Sequence, residues 1–161
     1  MLVISDTSPI TNLLQIGQLD LLRQVFGQVV IPKTVYDELG ELPRQRLVID
    51  GQSWLTVLNV HDMDVVAGLA DELDPGEAEA IALALEIKAD YLIIDELKGR
   101  HKAEALGLRI VGLLGVLIQA KQTGYIQAVE PLLIALREEA GFRIHPALYK
   151  RVLQLAGEAP L

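Results

Sequence analysis

Leu2-Val3-Ile4-Ser5-Asp6 and Tyr91-Leu92-Ile93-Ile94-Asp95 decide the fold. Each is a short β-rich run that stops at an aspartate. An apolar run without alternation reads as a strand buried on both faces, the condition of a parallel sheet covered by helices. The stretches on either side agree. Asp6-Thr7-Ser8-Pro9 ends the first run and opens a helix with Pro9 at its first position, Ser8 or Asp6 capping it, and Gly17 closing it. A second helix is expected over Asp20–Phe26, a strand over Val29–Ile31 cut by Pro32, a helix over Thr34–Leu39 and a weaker one over Arg44–Ile49.

Trp54–Val60 reads as a further strand. Asp74-Pro75-Gly76 then separates a helix over Met63–Leu73 from one over Glu77–Lys88. After Tyr91–Ile94 come a helix over Glu96–Leu106, a strand over Leu108–Val111 and a helix over Leu113–Thr123. Amphipathic helices near Val129–Ala140 and Pro146–Ala156 follow. Strands separated by helices predict an α/β protein with a central parallel sheet. With no linker, repeat or low-complexity tract, residues 1–161 read as a single domain.

Composition bounds the function. The 161 residues carry 14 basic and 22 acidic side chains, a net charge of -8, with a pI of 4.8. That excludes a broad basic surface that grips duplex nucleic acid by charge alone, but not an enzyme whose metal ions carry the positive charge. The absence of cysteine excludes disulfides, thiolate metal sites and a cysteine nucleophile. A hydrophobic share of 51% and a mean hydropathy of +0.33 exclude a disordered chain. No apolar run approaches ~18 residues, and Leu2–Ser5 is too short for a signal peptide. A soluble cytoplasmic protein is expected.

In an open parallel sheet, ligands bind beyond the carboxyl ends of the strands. Asp6 and Asp95 stand at two such ends, so adjacent central strands would bring their carboxylates together. Like charges at that range need a shared proton or a cation, and all-oxygen ligation suits Mg²⁺ or Mn²⁺. Taken singly, each aspartate is equally an N-cap of the helix that follows it. Glu38, on the helix after Val29–Ile31, can reach back over the same edge or lie on a solvated face beside Asp37. Glu77 stands in a first helical turn, where the helix dipole favours an anion. At ~100° per residue it points toward Ile81 and Ala84, whereas Glu79 lines up with Glu86 as a solvated stripe. Glu96 is a further candidate.

Lys98, Arg100, His101 and Lys102 are the densest basic run of the chain, read as spreading round a helix axis. Ser8 can hydrogen-bond an acid or a water. His61, His101 and His145 show no metal-ligand spacing, and Gly112-Leu113-Leu114-Gly115 lacks the lysine and spacing of a phosphate loop.

The order of Val3-Ile4-Ser5-Asp6-Thr7-Ser8-Pro9, Ile31-Pro32 with Val35-Tyr36-Asp37-Glu38-Leu39, Pro75-Gly76-Glu77-Ala78-Glu79-Ala80-Ile81, and Ile93-Ile94-Asp95-Glu96 with Arg100 and Ala103 resembles a PIN domain. Val111–Leu117 followed by Ala120-Lys121 and Gly124 is similar to one prokaryotic subgroup of PIN-domain proteins that looks like VapC-type toxins. The resemblance spans about the whole chain. It implies a three-layer α/β/α sandwich and a metal-dependent ribonuclease site. Asp6, Glu38, Glu77 and Asp95 match the family's acidic set, Glu96 a less constant acidic position, Ser8 the hydroxyl position and Arg100 a basic position of the subgroup. Glu77 stands where many VapC-type toxins carry Asp, adding one methylene of reach.

The function expected is a Mg²⁺- or Mn²⁺-dependent endoribonuclease that cleaves single-stranded RNA regions. The resemblance further implies the toxin of a toxin–antitoxin pair, a homodimer and an antitoxin partner. Two rival readings are a PIN-fold interaction module with weak or no cleavage and a metal-dependent phosphatase for small substrates. The aspartyl-phosphate version of the latter is disfavoured because Ser8 stands where its second acid would be.

Overall fold

The computed structural model describes residues 1–159. Five parallel strands, β1 (Val3–Ser5), β2 (Val29–Pro32), β3 (Leu55–Leu58), β4 (Tyr91–Ile93) and β5 (Ile110–Val111), form one sheet in the order β3-β2-β1-β4-β5. The chain builds β1, β2 and β3 toward one edge, then returns to lay β4 against the other side of β1. The reversal of strand order therefore falls between β1 and β4. Register Ser5↔Ile93 fixes the pair, and the Asp6 amide donates to Ile93 O at 2.9 Å. The two aspartates that end these runs thus leave the same edge of the sheet.

Alternation through the central strands divides the core in two. Val3, Val29, Ile31 and Ile93 face one layer, built from α1 (Thr7–Gln15), α2 (Asp20–Phe26), α8 (Leu113–Gln122), α9 (Glu130–Glu139) and α10 (Pro146–Leu155). Ile4, Val30, Leu92 and Ile94 face the other, built from α5 (Met63–Leu69), α6 (Pro75–Glu86) and α7 (Leu97–Ala105). Both faces of the sheet are covered, which makes the architecture a three-layer α/β/α sandwich. Between β2 and β3 lie α3 (Lys33–Leu39) and α4 (Pro43–Asp50).

Several element boundaries differ from the sequence reading, each for a physical reason. The first helix starts at Thr7, with Asp6 in extended backbone as its N-cap residue and no side-chain cap bond. Pro9 is the third helical residue, where a missing N–H still costs no intrahelical bond. The helix expected to reach Leu73 ends at Leu69. The next begins at Pro75, because the Asp74 carboxylate accepts from the Glu77 amide at 2.9 Å and caps it there. The third strand shrinks to Leu55–Leu58 at the sheet edge, where Val57 and Leu58 stay exposed. No described helix is long and apolar enough to cross a membrane.

Glu158, just beyond α10, ties the end of the described chain to the start of α9. Its carboxylate accepts from the Val129 amide at 2.7 Å, the Glu130 amide at 3.1 Å and Lys121 Nζ at 3.1 Å. Two of these charge-assisted bonds satisfy amides that helix geometry leaves without partners, and the third pairs the carboxylate with the Lys121 ammonium. Replacing Glu158 by Ala is expected to lower the free energy of unfolding by about 2 kcal/mol. Urea denaturation followed by circular dichroism measures this, and an unchanged midpoint would show that the clamp contributes nothing.

Candidate metal centre

The acids collect at the strand-order reversal. Asp6 is 5% exposed and Glu77 2%, and with Ser5 they are the buried polar residues among those described. Asp6 enters directly from β1. Its side chain makes no capping bond to α1, so that alternative role falls away. Asp95 follows Ile94 at the end of β4 and does not cap α7, whose N-cap residue is Glu96. Instead Asp95 Oδ1 accepts from the Leu113 amide at 2.8 Å, at the first residue of α8. Its other oxygen, Oδ2, is buried without a partner.

Glu38 reaches the site from α3. The Thr7 hydroxyl donates to Glu38 Oε2 at 2.5 Å, which ties α3 to the start of α1. The first turn of α6 approaches the same carboxylate so closely that a Cβ on Gly76 would lie 2.7 Å from both of its oxygens. Glu77, one residue on, points inward, and its Oε2 is likewise buried and unpartnered. A Cβ on Gly99 of α7 would overlap that oxygen and come within 2.6 Å of Ile94 Cδ1. A Cβ on Gly112 would meet Arg100 Nη1 at 2.5 Å and Asp95 Oδ1 at 3.1 Å. At these three positions glycine is what lets backbone and carboxylate pack together.

Asp74 belongs to the group although the sequence reading treated Asp74-Pro75-Gly76 only as a helix break. Oxygens of Asp74, Glu77 and Glu96 lie within 4.8 Å of one another. The signal was present: an aspartate at an N-cap sits beside its own first helical turn, and here that turn carries Glu77. Glu79 is not on a solvated stripe. It is half-buried, and both of its oxygens are taken by Thr34, the amide donating to Oε1 at 3.1 Å and the hydroxyl to Oε2. Glu86 is likewise occupied, accepting from the His61 and Asp62 amides at 2.9 Å. Neither therefore competes with Glu77 as a free acid.

Electrostatics set this cluster apart. Burial pushes the Asp6 carboxyl up to about 7, against the hydrogen bond of the Thr7 amide and with the help of the charges of Asp74, Glu38 and Asp95. Burial, the neighbouring Asp74 carboxylate, then Asp6 and Glu96 push Glu77 up to about 9. Glu38 and Asp95 are also raised, in each case mainly by burial. Arg100 moderates Asp95 without pairing with it, since its Nη1 donates to Ile94 O at 3.1 Å. Among the described residues no cationic side chain forms an ion pair with any of these six acids.

Ser8 is exposed and lines a cavity of about 280 Å³ together with Asp6, Thr7, Glu38, Asp74 and Glu96. This cavity shares Thr7, Thr11, Glu38 and Asp74 with a depression of about 600 Å³ that runs toward Leu42 and Gln45. On the other side it shares Ser8, Asn12 and Glu96 with a groove of about 810 Å³ lined by Arg100, Phe142, Arg143 and Leu148. The three form one trench across the sheet edge with acids in its middle. Oxygen-only donors, two orphaned buried oxygens and raised proton affinities are the environment a divalent cation relieves. The residues present fit Mg²⁺ or Mn²⁺.

Neither the curated proteins nor the solved structures contain a match to the chain. A family model, DUF3368: PIN domain, matches residues 2–158. PIN domains are generally metal-dependent nucleases, in keeping with the acid-lined trench. With its parallel five-stranded sandwich and a family match over nearly its whole length, the chain belongs to the PIN-domain family.

Proposed function

We propose that the protein is a Mg²⁺- or Mn²⁺-dependent endoribonuclease acting on single-stranded RNA. Asp6, Glu38, Glu77 and Asp95 hold the metal, and Asp74 and Glu96 complete the rim of the site. The observation that carries this reading is the gathering of carboxylates round buried Asp6 and Glu77, with Asp74, Glu77 and Glu96 within 4.8 Å of one another. Two oxygens of the group are orphaned, and no cation is ion-paired to any of the six acids among the described residues. When bound, a divalent cation supplies charge neutralisation at a phosphodiester and acidification of the attacking water.

The chain's own residues prepare that chemistry. The Leu113 amide fixes Asp95 through one oxygen and leaves the other without a partner, and the Thr7 hydroxyl and the Gly76 amide fix Glu38. Such preorganisation removes reorientation from the reaction itself. The open trench admits a flexible strand along its length, and Ser8 offers a hydroxyl at its rim. The net charge of -8 opposes tight nonspecific RNA binding, so substrate choice follows from strand access more than from charge.

Resemblance to VapC-type proteins extends the proposal to a cytoplasmic toxin, homodimeric and silenced by an antitoxin. One observation favours a second reading as an interaction module. Leu97 is 65% and Leu148 47% exposed along the groove beside the acids, an apolar wall suited to a protein partner. Metal titration separates the two: the nuclease binds Mn²⁺ at this site, whereas a module need not.

Asp6→Asn is expected to fold as the parent does, because it replaces a buried carboxyl by a neutral group of the same shape. Cleavage of single-stranded RNA in Mn²⁺ buffer should fall at least about 100-fold and calorimetric Mn²⁺ affinity at least about tenfold. Parental activity in the variant would remove Asp6 from the mechanism.

Acidity gives an independent test in metal-free buffer. An acid with a raised folded pKa binds more protons folded than unfolded, so stability falls as pH rises from its unfolded value through its folded one. With Asp6 raised from 3.8 to about 7 and Glu77 from 4.5 to about 9, the melting temperature in EDTA should decline between about pH 4 and pH 9. Millimolar Mn²⁺ should restore it near neutral pH by several degrees. A melting temperature in EDTA that climbs over that range contradicts the strain assigned to the acids.

A further inference from the structure

Helix α7 carries a second feature that the acidic trench does not absorb. Gly99 and Ala103 turn inward and are buried, while Lys98, His101, Lys102 and Ala105 recur at the spacing of one helical face. The basic run is therefore not spread evenly round the axis. This face lines a depression of about 490 Å³, closed on its far side by Glu72 and Leu73. Leu73 immediately precedes Asp74, and Lys98 stands two residues after Glu96, so the depression abuts the acid cluster without sharing a lining residue with its cavity.

The charges in it are available. Lys98 and His101 form no ion pair among the described residues. Lys102 Nζ is 3.8 Å from Glu72 Oε2, a long contact at a solvent-exposed position that holds the ammonium only weakly. In a chain of net charge -8, a strand in the trench meets Arg100 and Arg143 at its α8 end, but at the other end it passes Glu41 and Asp74 with no cation among the lining residues. Phosphates at that second end need cations from outside the trench, and Lys98 and Lys102, which line the depression with Leu73 and Ala105, stand at the site's border.

We propose that the Lys98–His101–Lys102 face of α7 is a phosphate subsite that seats the RNA backbone outside the scissile position. The inference rests on the nuclease reading for its substrate class, but it concerns binding and is read without cleavage. The probe is a fluorescein-labelled 12-nucleotide single-stranded RNA, its binding followed by anisotropy in Ca²⁺ buffer over a range of KCl concentrations. Lys98→Ala/Lys102→Ala is compared with Lys150→Ala/Arg151→Ala, which removes the same charge from exposed positions on α10.

The α7 variant should bind the RNA on the order of tenfold more weakly at low salt. Its slope of log affinity against log salt should be shallower by about 1.4, two lost phosphate contacts on a single strand. The α10 variant should stay within about twofold of the parent. Equal losses in the two variants, no loss in either, or a parent that binds no RNA would each overturn the subsite. Weakened binding of inorganic phosphate with unchanged RNA binding would mean a free-anion site, and would overturn it as well. Parental RNA binding with the predicted α7 effect but no cleavage in Mn²⁺ would leave the subsite standing and remove the nuclease reading. Thermal melts of both variants keep misfolding from imitating the result.

Discussion

The pairing of β1 with β4 is the constraint on which the site depends. Parallel register Ser5↔Ile93, continued by the Asp6 amide on Ile93 O, brings two aspartates 89 positions apart in sequence to one edge of the sheet. The apolar layers on both faces hold that register, because a slip by one residue would turn Val3 and Ile93 toward the wrong layer. Burial of the core and concentration of negative charge are therefore coupled: the contacts that stabilise the sheet also force the carboxylates together. Crowded carboxylates of this kind cost stability, which the apolar contacts of the two layers offset.

Much of the crowding is made possible by what is missing from the backbone. Gly76, Gly99 and Gly112 each come so near a site side chain that a methyl group would collide with Glu38, Glu77 or Arg100. The acids arrive from the first turn of α6, from α3 and from the ends of β1 and β4, and the glycines let those separate elements close on a small volume. Arg100 is held off the cluster by its bond to Ile94 O, so its charge softens Asp95 without quenching it.

The architecture was readable because it is written in long-lived patterns. Short unbroken runs such as Leu92–Ile94, bounded by polar residues and too brief for a helix, read as strands sheltered on both sides, and the strand-end rule then singles out Asp6 and Asp95. Local boundaries were harder. Whether the helix before Asp74 ends at Leu69 or Leu73 depends on a few hydrogen bonds that periodicity does not register. The site was legible where an acid follows a strand and obscure where tertiary contacts decide. Asp74 looked like punctuation because capping and proximity to Glu77 are one geometry seen from two sides. Glu79 looked solvated because its partner Thr34 lies 45 residues away, beyond the reach of helix periodicity.

The two strand-end aspartates are unequal as mutational probes. Asp6 makes no capping bond to the helix it precedes, and an amide in its place keeps an oxygen for the Thr7 amide, so its charge can be altered while the scaffold stays as it was. Asp95 also anchors the amide that begins α8, the helix packed across α2 and α10. Truncating it to alanine removes an acid and an architectural peg in one stroke. An inactive protein made that way reports on both losses at once, whereas an amide at the same position keeps an oxygen for Leu113 and isolates the charge.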